Sequence, residues 1–564
     1  MATLHNLKIK NFRGIENFDQ NFKKGLTCII GRGDSGKSTI LEALNLVLSS
    51  SWTINFYDSD FLNCHTDTPI EIEATLTEIP EKLLAKYGMY VRGITSNGNI
   101  IDDMEAEEAN NAKDALTVKL TVTKDLEPIW TVVSYREQEP VSISATDRSK
   151  MNVLSISDYA DKHFSLNKGN PLYTLFKMLE EDGEEEISEG NAILDILRET
   201  KTRIDTSIAD KFENVIEKVK NTAVLLGIEA DSIKTSIDHR DISIKENKVS
   251  LHESDIPLRL KGKGARRLMS LAIQLSIANP SGIILIDEIE QGLEPDRVQH
   301  LVSILIRETN YQILFTTHSR NVIVELPCNN LYIMRRGNDK LLDIPTDMQG
   351  SVRSNPEALF MKKVIVCEGV TEVGICRALN VNRQLLGKIN LSCLGIGLVD
   401  GGGENMIQRA KTFNFLGYST CLLCDSDTES IKKSKNELIS SGVNIFDCEE
   451  GSSIEQQVFA DLPWEQIIKL VDYKIEIDGN DSHSLFQSTY SQEKPMPEFN
   501  EYWYKTESDE LRTLLGNISK KKDWYKRIDH GMKIGEIIFE GFENICESKK
   551  IKQIFENLSN WIDS

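Results

Sequence analysis

The chain is expected to be an α/β protein made of two successive parallel-sheet domains, and three observations predict it. A glycine-rich run from Gly31 to Thr39 stands between an apolar strand and an amphipathic helix. Two aliphatic strands, Ile283 to Ile286 and Ile313 to Phe315, lead directly into polar residues, as buried parallel strands do at their carboxyl ends. From Lys363 onward a new alternation of strand and helix begins. A length of 564 residues also exceeds what one compact core holds, so two or three domains are expected.

The elements follow in order. Leu7 to Gly14 alternates apolar and basic residues and predicts a first strand, and Leu26 to Ile30 predicts the strand before the glycine-rich run. Gly31-Arg32-Gly33-Asp34-Ser35-Gly36-Lys37-Ser38-Thr39 has the composition of a phosphate-binding loop. Its glycines let backbone N–H groups turn onto phosphates, Lys37 reaches the β and γ oxygens, and the Ser38 hydroxyl is placed to ligate Mg²⁺. Ile40, Leu41, Leu44, Val47 and Leu48 then recur at helical spacing. ATP or GTP binding is the expectation. Asp287 and Glu288 close the third strand: the first acid suits Mg²⁺, and the second suits polarising an attacking water. His318 follows the strand after it, where it would sense the γ-phosphate.

These residues resemble an ABC-type ATPase of the SMC/RecF kind. Arg13 resembles the nucleotide-contacting loop of that family, and Glu290 to Pro295 its D-loop. His318 resembles its switch histidine, and Leu260 to Leu268, with Gly264, stands in place of the signature motif. Lys261 and Lys263 depart from the serine-and-glycine wording of that motif, and Gly33 stands where the family often has asparagine. The resemblance implies ATP held between one subunit's phosphate loop and another's signature helix, hence a homodimer. Residues 155–226, carrying Leu172, Leu175, Phe176, Leu179, Leu194, Ile196 and Leu197, are expected to form a helical insertion in a 1–350 ATPase domain and to serve as a dimerisation element.

Composition narrows the remaining classes. Hydrophobic residues make 40% and charged residues 27% of the chain, ordinary values for a globular protein. The ten cysteines lack framework spacing; Cys421 and Cys424 have CxxC spacing but lie in an apolar strand with no second pair or histidine nearby. Cys28, Cys367 and Cys421 fall in apolar strands, which suggests a reducing cytoplasm. No apolar run reaches the ~20 residues that span a bilayer, so no membrane role is expected. A net charge of −22 opposes nucleic acid at long range, yet the acid sits in tracts such as Asp102 to Glu108 and Glu180 to Glu189, with basic clusters at Arg259 to Arg267 and Lys520 to Arg527.

In the last third, Lys363 to Cys367 reads as a buried strand ending in Glu368-Gly369-Val370-Thr371-Glu372. Strands are then expected at Ile389 to Leu394, at Thr420 to Cys424 ending in Asp425-Ser426-Asp427, and at Val443 to Phe446, with a helix over Glu404 to Phe415. Ligands of such sheets lie beyond the carboxyl ends of the strands, so Glu368, Asp425 and Asp427 are expected to converge. Packed carboxylates repel unless a cation sits among them, and oxygen-only donors favour Mg²⁺, Mn²⁺ or Ca²⁺.

A glutamate after the first strand and Asp-x-Asp after the third resemble a Toprim domain, here spanning 361–564. An SMC-like ATPase followed by Toprim resembles the OLD (overcoming lysogenization defect) family of nucleases, which includes the nuclease subunit of the Gabija anti-phage system. The resemblance implies paired glutamates at Glu368 and Glu372, a metal-binding pair at Asp425 and Asp427, a further acid at Glu455, and a lysine. Lys526 is the choice for that lysine, with Lys522 and Lys533 as rivals; Glu372, one turn into a helix, is alternatively a local cap. It also implies DNA as substrate, two-metal cleavage regulated by ATP, a role in anti-phage defence, a homodimer or tetramer, and a helicase-like partner. A DNA-binding ATPase scaffold whose Toprim domain does not cut, and a topoisomerase or primase, stay open.

Overall fold

Alternation of apolar and polar residues along Thr3–Phe12 turns Leu7 and Ile9 inward and Lys8 and Lys10 outward, which suits a sheet with one wet face. In the computed structural model this strand lies in an eight-stranded antiparallel sheet, between Ile15–Asn21 and Ile70–Thr77. The structure describes residues 2–51, 53–102, 112–136, 138–156, 163–166, 170–175, 201–229, 232–237, 249–278, 282–308, 310–427, 429–479, 482–490 and 497–564. It divides into two units, Met1–Ile344 and Pro345–Ser564.

In the first unit a second sheet has the order Val153–Ile156, Ile283–Ile286, Gln312–Thr316, Leu26–Ile30, Leu331–Ile333 and Leu342–Asp343. Its first five strands run parallel and the last is an antiparallel edge. Ile283–Ile286 is buried at every position, as a central parallel strand must be. Helix Lys37–Val47 places Ile40, Leu41, Leu44 and Val47 in one core with Leu7, Ile72 and Leu314 from the two sheets. Gln312 stitches the sheets together: its amide oxygen accepts from Leu4 N at 2.7 Å, and its amide nitrogen donates to Leu4 O at 2.8 Å. Strands Ile233–Ile237, Val249–Glu253 and Ile256–Pro257 make a third, small sheet. Within the expected helical insertion, Leu172 and Leu175 are buried and Lys201–Leu225 is a helix. Phe176, Leu179, Leu194, Ile196 and Leu197, and the acid tract from Glu180 to Glu189, lie outside the described residues.

The second unit carries a four-stranded parallel sheet in the order Ile396–Asp400, Lys363–Cys367, Ser419–Cys424, Asn444–Asp447. The strand expected at Ile389 to Leu394 is not there. Asn390 instead caps one helical turn, Leu391–Leu394, by accepting from Ser392 N, and Gly395 ends it in the left-handed region at φ 72°. The strand begins only after that glycine. Helices Val370–Leu385 and Ile528–Glu540 cross at three glycines. A Cβ on Gly374 would stand 2.4 Å from Ile528 O, one on Gly531 2.2 Å from Thr371 O, and one on Gly535 2.5 Å from the Ala378 Cβ. Absence of side chains there lets the two backbones touch.

Candidate functional site

The phosphate-binding loop is built by sterics. Gly31 has φ 149°, and a Cβ there would sit 2.3 Å from Met334 O; Gly36, at φ 98°, precedes the first turn of helix Lys37–Val47. Gly33 has open space around it and no such requirement. Lys37 is 5% exposed and donates to the carbonyls of Gly31 and Arg32, both at 2.9 Å. Burial lowers its ammonium pKa, against the pull of Asp287, Glu288 and Asp34. The Ser38 hydroxyl donates to Asp287 Oδ1 at 2.9 Å, which brings the two expected Mg²⁺-binding groups together from positions far apart in the chain.

Thr316, which the sequence did not single out, organises this point. Its hydroxyl donates to Asp287 Oδ1 at 2.5 Å and accepts from Glu288 N at 2.8 Å, while Glu288 takes a left-handed backbone at φ 47°. Parallel pairing of Gln312–Thr316 with Ile283–Ile286 puts that hydroxyl beside the acids, a register that local sequence does not reveal. His318 is exposed, and Glu290 fixes its turn by accepting from His318 N at 2.6 Å and from the Thr317 hydroxyl at 2.7 Å. Gly264 opens helix Lys263–Ala278 against the segment that resembles a D-loop, where a Cβ would be 2.4 Å from Gly292 O. Arg267 of the same helix donates to Asp287 O, and to Gln291 Oε1 at 2.6 Å. Arg13, at φ 49°, is held by Asp60 at 2.9 Å; Asp34 and Thr39 lie within the loop and first turn, and Ser35 is buried.

In the second unit the acids stand at the carboxyl ends of the parallel strands. Glu368 follows Lys363–Cys367 and accepts from Asp425 N at 2.8 Å; Asp425 follows Ser419–Cys424 and accepts from Ile454 N at 2.7 Å. Glu372 is 5% exposed and accepts from Gly369 N at 2.9 Å, so it does cap its own helix while belonging to the cluster. Glu455, 4% exposed, opens helix Ile454–Asp461 and accepts from the Ser453 hydroxyl at 2.9 Å. Burial, and then repulsion from Glu372, Glu368 and Glu455, pushes Asp425 up to about 9. Burial and then Glu455 push Glu372 up to about 7, and Glu368 is raised chiefly by burial. Such a set of carboxylate oxygens, at odds with one another, suits a divalent cation.

Full convergence of Glu368, Asp425 and Asp427 is not what the structure shows. Among the described residues no three acidic, histidine or cysteine side chains meet at ligand distance from one point. Backbone amides draw Glu368, Glu372 and Asp425 aside, and Lys520 pairs with Asp427 at 2.5 Å. Of the candidate lysines, Lys526 is the one whose charge the acids of the cluster act on, while its Nζ pairs with Asp523 at 3.8 Å. Burial lowers its pKa, but Glu455, Asp523, Glu372 and Asp425 outweigh burial and hold it above the ordinary lysine value. Lys522 donates instead to Ser488 O at 3.0 Å and Lys533 pairs with Glu536 at 3.0 Å. The run Gly401-Gly402-Gly403 was also missed. Gly401 N donates to Cys367 O and Gly403 N to Glu368 O at 2.9 Å, and a Cβ on Gly401 would stand 2.4 Å from Cys367 O. Three glycines directly after a strand were the available signal.

The fold agrees with what the chain is similar to. A family model described as AAA ATPase domain matches residues 3–323, so the chain belongs to that family. A second, described as overcoming lysogenization defect protein-like, TOPRIM domain, matches residues 359–427. An OLD nuclease of Thermus scotoductus is 25% identical over 72% of this chain and 78% of its own length. A DNA double-strand break repair Rad50 ATPase of Methanococcus maripaludis is 26% identical over 38% of the chain, which spans only 22% of that relative. A DNA replication and repair protein RecF of Acholeplasma laidlawii is 22% identical over 55% of the chain and 92% of its own length. Among the described residues no helix is long and apolar enough to cross a membrane.

Proposed function

We propose that the chain is an ATP-binding, divalent-metal-dependent DNA endonuclease, in which nucleotide occupancy of the first unit regulates phosphodiester hydrolysis at the acids of the second. The observation that carries this reading is the set of carboxylates at the strand ends, buried Glu372 and Glu455 with half-buried Glu368 and Asp425, linked by Asp425 N to Glu368 and Ile454 N to Asp425 and mutually repelling. A scaffold has no use for such repulsion, which costs stability. Glu368, Asp425, Asp427 and Glu455 would hold Mg²⁺ or Mn²⁺, which supply charge neutralisation and an activated water. Lys526 offers its ammonium to a phosphate oxygen, and Glu372 fixes the first helical turn beside Glu368. In the first unit, Lys37 would bind the β and γ phosphates, Ser38 and Asp287 the nucleotide's Mg²⁺, Glu288 the attacking water, and His318 the γ-phosphate. Regulation follows if the ATP-bound state differs in affinity for DNA, and a homo-oligomer that completes the nucleotide site provides such a state. Defence against phage is the biological setting proposed with this activity, from the likeness of the second unit to the OLD-like TOPRIM domain.

Supercoiled plasmid incubated with wild type and Asp425→Ala, with Mg²⁺ or Mn²⁺, with and without ATP, tests the proposal. Metal-dependent cutting that Asp425→Ala loses is the expected result. Equal cutting by both proteins, or none by clean wild type under any condition, overturns it.

A further inference from the structure

Lys520 has a fixed place. It lies in the last turn of helix Asp509–Lys521, which packs against helix Ile454–Asp461, the element that carries Glu455. Gly516 makes the approach close: a Cβ there would be 3.2 Å from the Gln456 Cα. Gln456 Nε2 donates to Asn517 Oδ1 at 2.7 Å, and Lys520 Nζ reaches Gln456 Oε1 at 3.4 Å. From this platform Nζ pairs with Asp427 Oδ2 at 2.5 Å, and the Asp427 side chain is 19% exposed. The ammonium is thus seated on one of the residues expected to hold a cation, and among the described residues no backbone amide is seen on Asp427 as Asp425 N is on Glu368 and Ile454 N on Asp425.

We infer that Lys520 is a positioning residue that competes with the divalent cation for Asp427, so that it sets the metal affinity of the acid site and holds Asp427 out of it until metal concentration is high enough. The inference rests on the proposed metal-dependent reading of that site. Displacing a lysine from a carboxylate costs a charge-assisted hydrogen bond, and the displaced ammonium stays a few ångströms from an incoming dication. Both effects weaken metal binding relative to a chain that lacks the charge. The displaced ammonium remains beside the cluster as a second positive group, distinct from Lys526.

Calorimetric titration of full-length protein with Mn²⁺, without DNA, tests this on wild type, Lys520→Gln, Lys520→Arg and Asp425→Ala. Lys520→Gln is expected to bind Mn²⁺ about tenfold tighter than wild type, and Lys520→Arg, which keeps the charge, to stay close to wild type. Cleavage by Lys520→Gln should then begin at correspondingly lower Mn²⁺. Equal or weaker binding by Lys520→Gln, with wild-type circular dichroism, overturns the inference. Loss of its circular dichroism would show that Lys520 holds the fold instead, which also overturns it, provided Lys520→Met behaves alike. Wild type that binds no Mn²⁺, or binds it as Asp425→Ala does, brings down the metal-site reading itself, so the two failures are distinguishable.

Discussion

Gly531→Ala is the sharpest test of how the second unit positions its acids, because two physical effects of opposite sign meet there. In an unobstructed helix interior, alanine is favoured over glycine by about 1 kcal/mol, so the substitution would stabilise. Gly531 lies inside helix Ile528–Glu540, and its new Cβ would stand 2.2 Å from Thr371 O and 2.9 Å from the Thr371 Cα. Ordinary contact needs roughly another 1 Å, and backbone atoms cannot rotate away, so the two helices must separate. Overpacking of this kind costs about 1–3 kcal/mol, more where backbone is displaced, and it wins over the propensity gain. A net destabilisation of about 2 kcal/mol is expected. Hydrogen exchange of amides in helix Val370–Leu385 reads it locally, without assuming that the two units unfold together. The strain also reaches the site: Thr371 donates its hydroxyl to Tyr525 O at 3.1 Å, so separation disturbs Tyr525 and with it the neighbouring Lys526. Gly374→Ala forces the same separation through Ile528 O, and the double variant should cost less than the sum of the singles. Unchanged or increased protection of Val370–Leu385 in Gly531→Ala would refute the reasoning.

Two further outcomes follow from the first unit. Thr316→Val removes the hydroxyl that donates to Asp287 and accepts from Glu288 N; ATP hydrolysis should fall by about 10- to 100-fold with nucleotide affinity changed far less, as loss of a hydrogen bond to a charged group predicts. Phosphate release and equilibrium nucleotide binding separate the two, and an unaltered rate would remove Thr316 from the machinery. His163 is 9% exposed, contacts the Ser270 hydroxyl, and is lowered to about 4 by burial. Its folded value lies below the unfolded one near 6.5, so its contribution to stability is complete above about pH 6.5 and is lost as pH falls toward 4. Between about pH 7 and pH 4.5 wild type should therefore lose about 2–3 kcal/mol more than His163→Gln in denaturant unfolding. Parallel losses would show that His163 does not titrate as its burial requires.

Much of the candidate site was legible because its signals are local. The phosphate-binding loop, Asp287, His318, Glu368 and Asp425 all sit where an aliphatic strand meets polar residues, a pattern that needs no long-range contact to recognise. The strand expected at Ile389 to Leu394 failed for an equally local reason, since the Asn390 cap and Gly395 outweigh the aliphatic content of so short a run. Lys526, Lys522 and Lys533 were not told apart in sequence, where the first two share one basic stretch and the third follows it closely, and only their surroundings in space distinguish them.

Sequence by itself determined the two α/β domains, the nucleotide loop and the chemical identity of the acids, because strand-end placement and side-chain type are properties of short segments. Tertiary structure alone decided which groups meet. It joined Ser38, Asp287 and Thr316 through the parallel pairing of distant strands, and it brought Gly374 and Gly531 into backbone contact. It also set Lys520 on Asp427 instead of leaving three carboxylates to converge. The physical reason is that hydrogen bonds, ion pairs and steric clearances depend on distances of a few ångströms between residues far apart in the chain. Hydrophobic periodicity fixes which face of an element is buried, and leaves those distances to the packing of the whole unit.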